Sequence, residues 1–191
     1  MMDAGTRVVK ELNDVEPSTS TSLEIGTDIY FDAIKGIMNI AEGGDAQLIY
    51  IASTVPADAI VNAMDMIGVD ADDVMFIDCI SNMMTGQQGK SDNIVFIESP
   101  TMLENIMLKV EFLRRKTPSR RTIVVVDSIN TLHIHNDWKI MGEFLHILVN
   151  NLRSRGAIII ILSIKEQQTP EVSTLLSLVS DRLVKIGIGG E

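Results

Sequence analysis

The chain has 191 residues, of which 46% are hydrophobic and 22% charged; this is the composition of a folded domain with a sizeable core and excludes intrinsic disorder. A formal net charge of -10 excludes a general grip on DNA or RNA and an anionic membrane as the main partner, since both demand a basic surface. The single cysteine, Cys79, excludes an intramolecular disulfide and fits a reducing compartment.

No apolar segment follows Met1 as a signal peptide requires, and the longest apolar run, residues 157–162, is of strand length. A membrane helix needs roughly 20 apolar residues, so the expectation is a cytoplasmic protein with no membrane partner. Eleven methionines point to a deformable core, with a methionine-rich contact surface as the alternative.

Residues 1–20 are polar and end in Ser18-Thr19-Ser20-Thr21; they read as a flexible tail with one helical turn around Arg7 to Leu12, leaving a domain over 21–191. A short strand is expected at 22–26. A helix follows over 29–41, with Ile29, Ala33, Ile37 and Ile40 at helical spacing and Gly43-Gly44 as its stop. Residues 47–53 read as a buried strand. A helix over 57–67 has Pro56 at its entrance and Gly68 beyond its end.

Residues 74–80 form the next expected strand, 81–93 a Gly/Gln-rich loop and 94–97 a short strand. An amphipathic helix spans 101–116, with Ser99 or Thr101 as its cap. The β-branched run 122–127 is a strand, 138–155 a long helix closed by Gly156, and 157–163 a strand. A helix at 170–179 and a strand at 182–188 complete the pattern. Continuous apolar strands separated by helices define an α/β fold with a mainly parallel sheet and helices on both faces, three layers in all.

Ile123-Val124-Val125-Val126-Asp127-Ser128-Ile129-Asn130, followed by the helix to Arg155, Gly156, the strand ending in Ser163, and Ser180-Asp181-Arg182-Leu183-Val184, resembles the Walker B half of RecA-type ATPases. The nearest likeness is to the KaiC-like proteins widespread in archaea. Residues 47–81, with Pro56, Ile67-Gly68-Val69-Asp70 and Phe76-Ile77-Asp78, are similar to the matching KaiC segment, and the resemblance covers residues 22–188. It implies a RecA-like core within the P-loop NTPase superfamily.

In active members of that family a glycine-rich loop after the first strand cradles phosphate, a lysine meets the outer phosphates and a Ser or Thr holds magnesium. The matching junction here is Ile25-Gly26-Thr27-Asp28-Ile29-Tyr30-Phe31-Asp32. Gly26 and Thr27 stand at the degenerate P-loop position, Tyr30 and Phe31 are bulky, Asp28 and Asp32 repel phosphate, and Lys35 lies at the wrong spacing. Gly86-Gln87-Gln88-Gly89-Lys90-Ser91 ends in Gly-Lys-Ser, but Met84 stands where the motif needs its first glycine, and a strand follows where a helix must open. The catalytic acid is also missing: the end of the second strand reads Ala52-Ser53-Thr54-Val55-Pro56. Asp127 and Ser128 are then a vestigial Walker B, with Asp127 bonding backbone or the Ser128 and Ser163 hydroxyls.

Two further constellations stand out. His133 and His135 with Asp137 place two imidazoles on one side of an extended segment, but surface polar residues account for the pattern and no metal site is expected. Arg114, Arg115, Lys116, Arg120 and Arg121 form the one basic cluster, either a cation-rich helix end or a docking patch for an acidic protein. Cys79 reads as a buried thiol. The expected function is a non-catalytic scaffold or regulatory module that uses no cofactor, nucleic acid or small-molecule substrate and acts through a protein partner or self-association. The alternative is an atypical nucleotide-binding KaiC-like ATPase.

Overall fold

The computed structural model describes residues 2–42, 46–86, 91–117 and 121–187. Chain order is α1 (Ala4–Leu12), β1 (Ser20–Ile25), α2 (Tyr30–Ala41), β2 (Ala46–Ala52), α3 (Ala57–Met66), β3 (Val74–Asp78), α4 (Ser81–Thr85) and β4 (Ile94–Phe96). It continues with α5 (Leu103–Lys116), β5 (Arg121–Asp127), α6 (Ile129–His135), α7 (Trp138–Arg153), β6 (Ile158–Ile164), α8 (Pro170–Val179) and β7 (Arg182–Ile186). The seven strands form one sheet in the order β4-β3-β2-β5-β6-β1-β7, and every pairing is parallel.

Parallel neighbours require long crossovers, which is why helices alternate with strands and cover both faces. The two-residue strand period divides the central runs between two cores. Leu48, Tyr50, Ile123, Val125, Ile158 and Ile160 pack with α1, α2 and α3. Their neighbours Ile49, Ile51, Val124, Val126, Ile159 and Ile161 pack with α5, α7 and α8. The expected three-layer α/β core is what the chain builds. Among the described residues no helix is long and apolar enough to cross a membrane.

The segment read as a tail with one helical turn carries the nine-residue α1, capped by Asp3, whose Oδ1 accepts from Thr6 N at 3.0 Å. Val8, Leu12 and Val15 are buried against the domain. Two glycines let α1 cross α2 closely: a Cβ on Gly36 would stand 2.6 Å from the Gly5 carbonyl and 2.8 Å from Val8 Cβ. The first strand accordingly starts at Ser20, earlier than expected.

The expected 81–93 loop contains the short α4, because Asp78 organises its entrance. Asp78 Oδ1 accepts from Ile80 N at 3.0 Å and Ser81 N at 2.8 Å, and Oδ2 accepts from Ser81 Oγ at 2.7 Å and from Ala57 N at 2.8 Å. One buried carboxylate thus satisfies orphan donors at the start of both α3 and α4. Residues 87–90 of the Gly-Lys-Ser segment, Arg120, and residue 188 of the last expected strand lie outside the described residues.

Candidate functional site

Ligands of open parallel sheets bind where strands end at their carboxyl edge, so the residues that follow β1, β2, β5 and β6 are the place to look. Asp127 closes β5, directly opposite Ala52 at the end of β2. It is completely buried. Its Oδ2 accepts hydrogen bonds from the Tyr30 hydroxyl, at the first residue of α2, and from the Tyr50 hydroxyl of β2 at 2.6 Å. The chain has two tyrosines, and both donate to this one carboxylate oxygen. Oδ1 is buried and has no hydrogen-bond partner among the described residues.

Burial pushes the Asp127 carboxyl up to about 6, against the opposing pull of the Tyr30 and Tyr50 hydrogen bonds. Burial, reinforced by the Asp127 charge, raises both tyrosine hydroxyls above their ordinary value, so they remain protonated donors. Around this centre the backbone is pinned. Ser53 N and Ser53 Oγ each donate to the Asp127 carbonyl at 2.7 Å. Ser128 N donates to Thr54 Oγ1 at 3.0 Å, while the Thr54, Ser128 and Thr131 hydroxyls form a mutual cluster at 3.0–3.2 Å. Ser128 Oγ also accepts from Thr131 N at 3.3 Å and so caps α6.

The junction between β1 and α2 is short and closed. After Gly26 a 3-10 turn, Thr27–Ile29, leads straight into α2, with Ile29 N donating to the Gly26 carbonyl at 3.3 Å. Thr27 N donates to Glu166 Oε2 at 3.1 Å, so a carboxylate of the chain itself holds this N–H group. A phosphate cradle needs several backbone N–H groups converging on an anion. Here two carboxylates flank the turn, since a Cβ on Gly26 would meet Asp28 Oδ1 at 2.5 Å and Glu166 Oε1 at 3.4 Å. Tyr30 and Phe31 were expected to crowd this loop together. Tyr30 instead turns inward to Asp127, and Phe31 lies 42% exposed, edge-on to Tyr30.

Asp127 therefore bonds the tyrosines and not the Ser128 and Ser163 hydroxyls; Ser163 Oγ donates to Gln168 Oε1 at 3.2 Å. Asn130 ties the end of β6 to this edge, its Oδ1 accepting from Ile164 N at 2.7 Å and its Nδ2 donating to the Gln167 carbonyl at 3.0 Å. The roles of Tyr30, Tyr50 and Asn130 escaped the sequence reading, although the scarcity of tyrosine was a signal.

His133 and His135 lie on α6, a helix, where residues two apart diverge; the extended arrangement assumed from the sequence is not formed. Asp137 accepts from Lys139 N at 2.8 Å and caps α7, and the His146 ring bonds Asn150 at 3.0 Å. Among the described residues no group of three or more His, Cys, Asp or Glu side chains is placed to hold a metal ion. In the basic cluster, Glu111 pairs with Arg114 at 3.0 Å, Arg115 at 2.8 Å and Arg155 at 3.5 Å, and the Arg114 hydrogen bond foremost lowers its carboxyl to about 2. Lys116 lies 5.0 Å above the Phe112 ring, and Arg121 is exposed at the start of β5.

An all-parallel seven-stranded sheet between helical layers, with a buried aspartate ending the strand two places from β1, defines a RecA-like core. Among solved structures, the chain is similar to a KaiC-like protein from the hyperthermophilic archaeon Pyrococcus horikoshii OT3, with a TM-score of 0.61 over 88% of this chain and 71% of that one. The two are 14% identical in sequence, so the likeness is one of fold. No protein-family model and no curated protein matches the chain.

Proposed function

We propose that this chain is a non-catalytic, degenerate member of the RecA/KaiC-like superfamily that acts as a scaffold or regulatory module by binding protein. One observation carries the reading: the carboxylate that would face magnesium accepts from the Tyr30 hydroxyl, and Tyr30 opens the very helix whose N-terminus would face phosphate. The Tyr30 ring spans from the start of α2 to the end of β5 inside the buried core. Supporting features act in the same sense. Thr27 N is held by Glu166, Asp28 adds a second negative charge, and the residues after β2 are hydroxyls pinned to the β5 backbone with no carboxylate to activate water. The protein-binding role is drawn from the fold by analogy, since a fold hosts many functions.

The test is a calorimetric titration of the full chain with Mg-ATP and Mg-ADP, followed by a phosphate-release assay. The reading expects no saturable heat and no release above buffer. Saturable binding with turnover would instead make the chain an atypical nucleotide-binding ATPase.

A further inference from the structure

The outer face of α5 carries two large apolar side chains one helical turn apart, Leu108 at 67% and Phe112 at 54% exposed. At the carboxyl end of this face stand the exposed cations Arg115, Lys116 and Arg155. Glu111 answers Arg115 and Arg155, whereas Lys116 has no ion-pair partner among the described residues. On a chain of net charge -10 this is a local reversal of sign beside an uncovered apolar strip.

Its complement lies on the same molecule. The corner joining α3 to β3 exposes Met66 at 88% and Ile67 at 48%, ringed by the exposed carboxylates Asp65, Asp70, Asp72 and Asp73. Residues 46–86 contain no Lys, Arg or His to offset them. Beside this corner a cavity of about 110 Å³ has Met38, Leu48 and Val74 on its walls and Glu42, Asp70 and Asp73 at its rim. Apolar walls under a carboxylate rim suit a long cationic side chain, whose methylenes lie on the walls while its head meets the acids.

Both corners lie at the amino edge of the sheet. Val74 begins β3 opposite Leu48, and Arg121 begins β5 opposite Ala46, so only β2 separates them. They project from opposite faces, because α3 packs into one core and α5 into the other. A head-to-tail contact seats the α5 patch of one copy on the acidic corner of its mate.

We infer that the chain pairs with a second copy of itself through the amino edge of its sheet, the base-rimmed Leu108/Phe112 face of α5 seating on the acid-rimmed Met66/Ile67 corner of the mate. This rests on the protein-binding reading above and names its partner. The two fail separately: a monomeric chain would sink the interface, whereas only nucleotide binding would sink the non-catalytic reading.

The test is sedimentation equilibrium of the full chain from micromolar to submillimolar concentration, at low and high salt. The wild type should dimerise, more weakly at high salt. Arg115→Glu/Lys116→Glu and Asp70→Lys/Asp73→Lys should each weaken the dimer tenfold or more while keeping wild-type circular dichroism. Mixed one to one, the two variants should form a heterodimer, since each then offers the charge the other lacks. A wild type that stays monomeric overturns the inference and leaves the α5 face to a different protein. A dimer indifferent to both charge reversals, or folded variants that do not pair when mixed, overturns it equally.

Discussion

Replacing Asp127 with asparagine removes a buried charge while keeping a carbonyl acceptor for the Tyr30 and Tyr50 hydroxyls. A carboxyl at about 6 in place of 3.8 is held in its protonated form by the folded state. The stability it contributes is fully present below about pH 4 and is lost as the pH rises through 6. At about 1.4 kcal/mol for each pKa unit the loss is about 3 kcal/mol. The new amide brings an NH2 to the position of the unpartnered Oδ1, at a cost that does not vary with pH. The informative quantity is therefore the difference between wild type and Asp127→Asn as a function of pH, in which groups such as Glu111 cancel. Measured by thermal melts from pH 4 to pH 8, that difference should move in favour of Asp127→Asn by about 3 kcal/mol, or roughly 6–12 °C in Tm for a chain of this length. A difference that stays flat across this range would refute the claim that Asp127 sits desolvated in the fold.

Tyr30→Phe deletes one donor to Asp127 and should cost about 1.5–3 kcal/mol in a urea titration at pH 8, and less at pH 5, where the carboxyl is largely neutral. Gly36→Ala forces a Cβ to within 2.6 Å of the Gly5 carbonyl, so α1 must shift; a loss of about 1–3 kcal/mol and faster amide exchange confined to α1 are expected. Cys79 is fully buried, with its thiol pushed up by burial and by the neighbouring Asp78 carboxylate. It should react with a thiol reagent only at the rate of opening, and rapid labelling of the folded chain would contradict its placement.

The layers and the sheet were legible because their signals are local. Continuous β-branched runs such as Ile123 to Val126 read as strands buried on both faces, and the helix expected at 170–179 is α8, Pro170–Val179. Helix starts moved where a turn competed: the helix expected from residue 101 begins at Leu103, because Ser99 Oγ takes Thr101 N at 3.2 Å and the Ser99 carbonyl takes Met102 N at 3.0 Å. Residues 131–135 alternate in polarity like a strand, yet Ser128 capping starts a helix there. Asp127 stood out in the sequence. Its partners did not, because Tyr30 lies 97 residues away and meets it only once β6 is laid between β1 and β5. The same holds for the Gly5–Gly36 crossing, which no local pattern announces.

The central claim, that an internal tyrosine stands where nucleotide phosphate would bind, is tested most directly by melting the full chain with and without millimolar Mg-ATP, alongside Asp127→Ala. Ligand at a hundredfold excess over its Kd would add about 2.7 kcal/mol, or roughly 5–11 °C in Tm. The account predicts a midpoint unmoved by Mg-ATP in both proteins. A rise of that size in the wild type, abolished by Asp127→Ala, would contradict it.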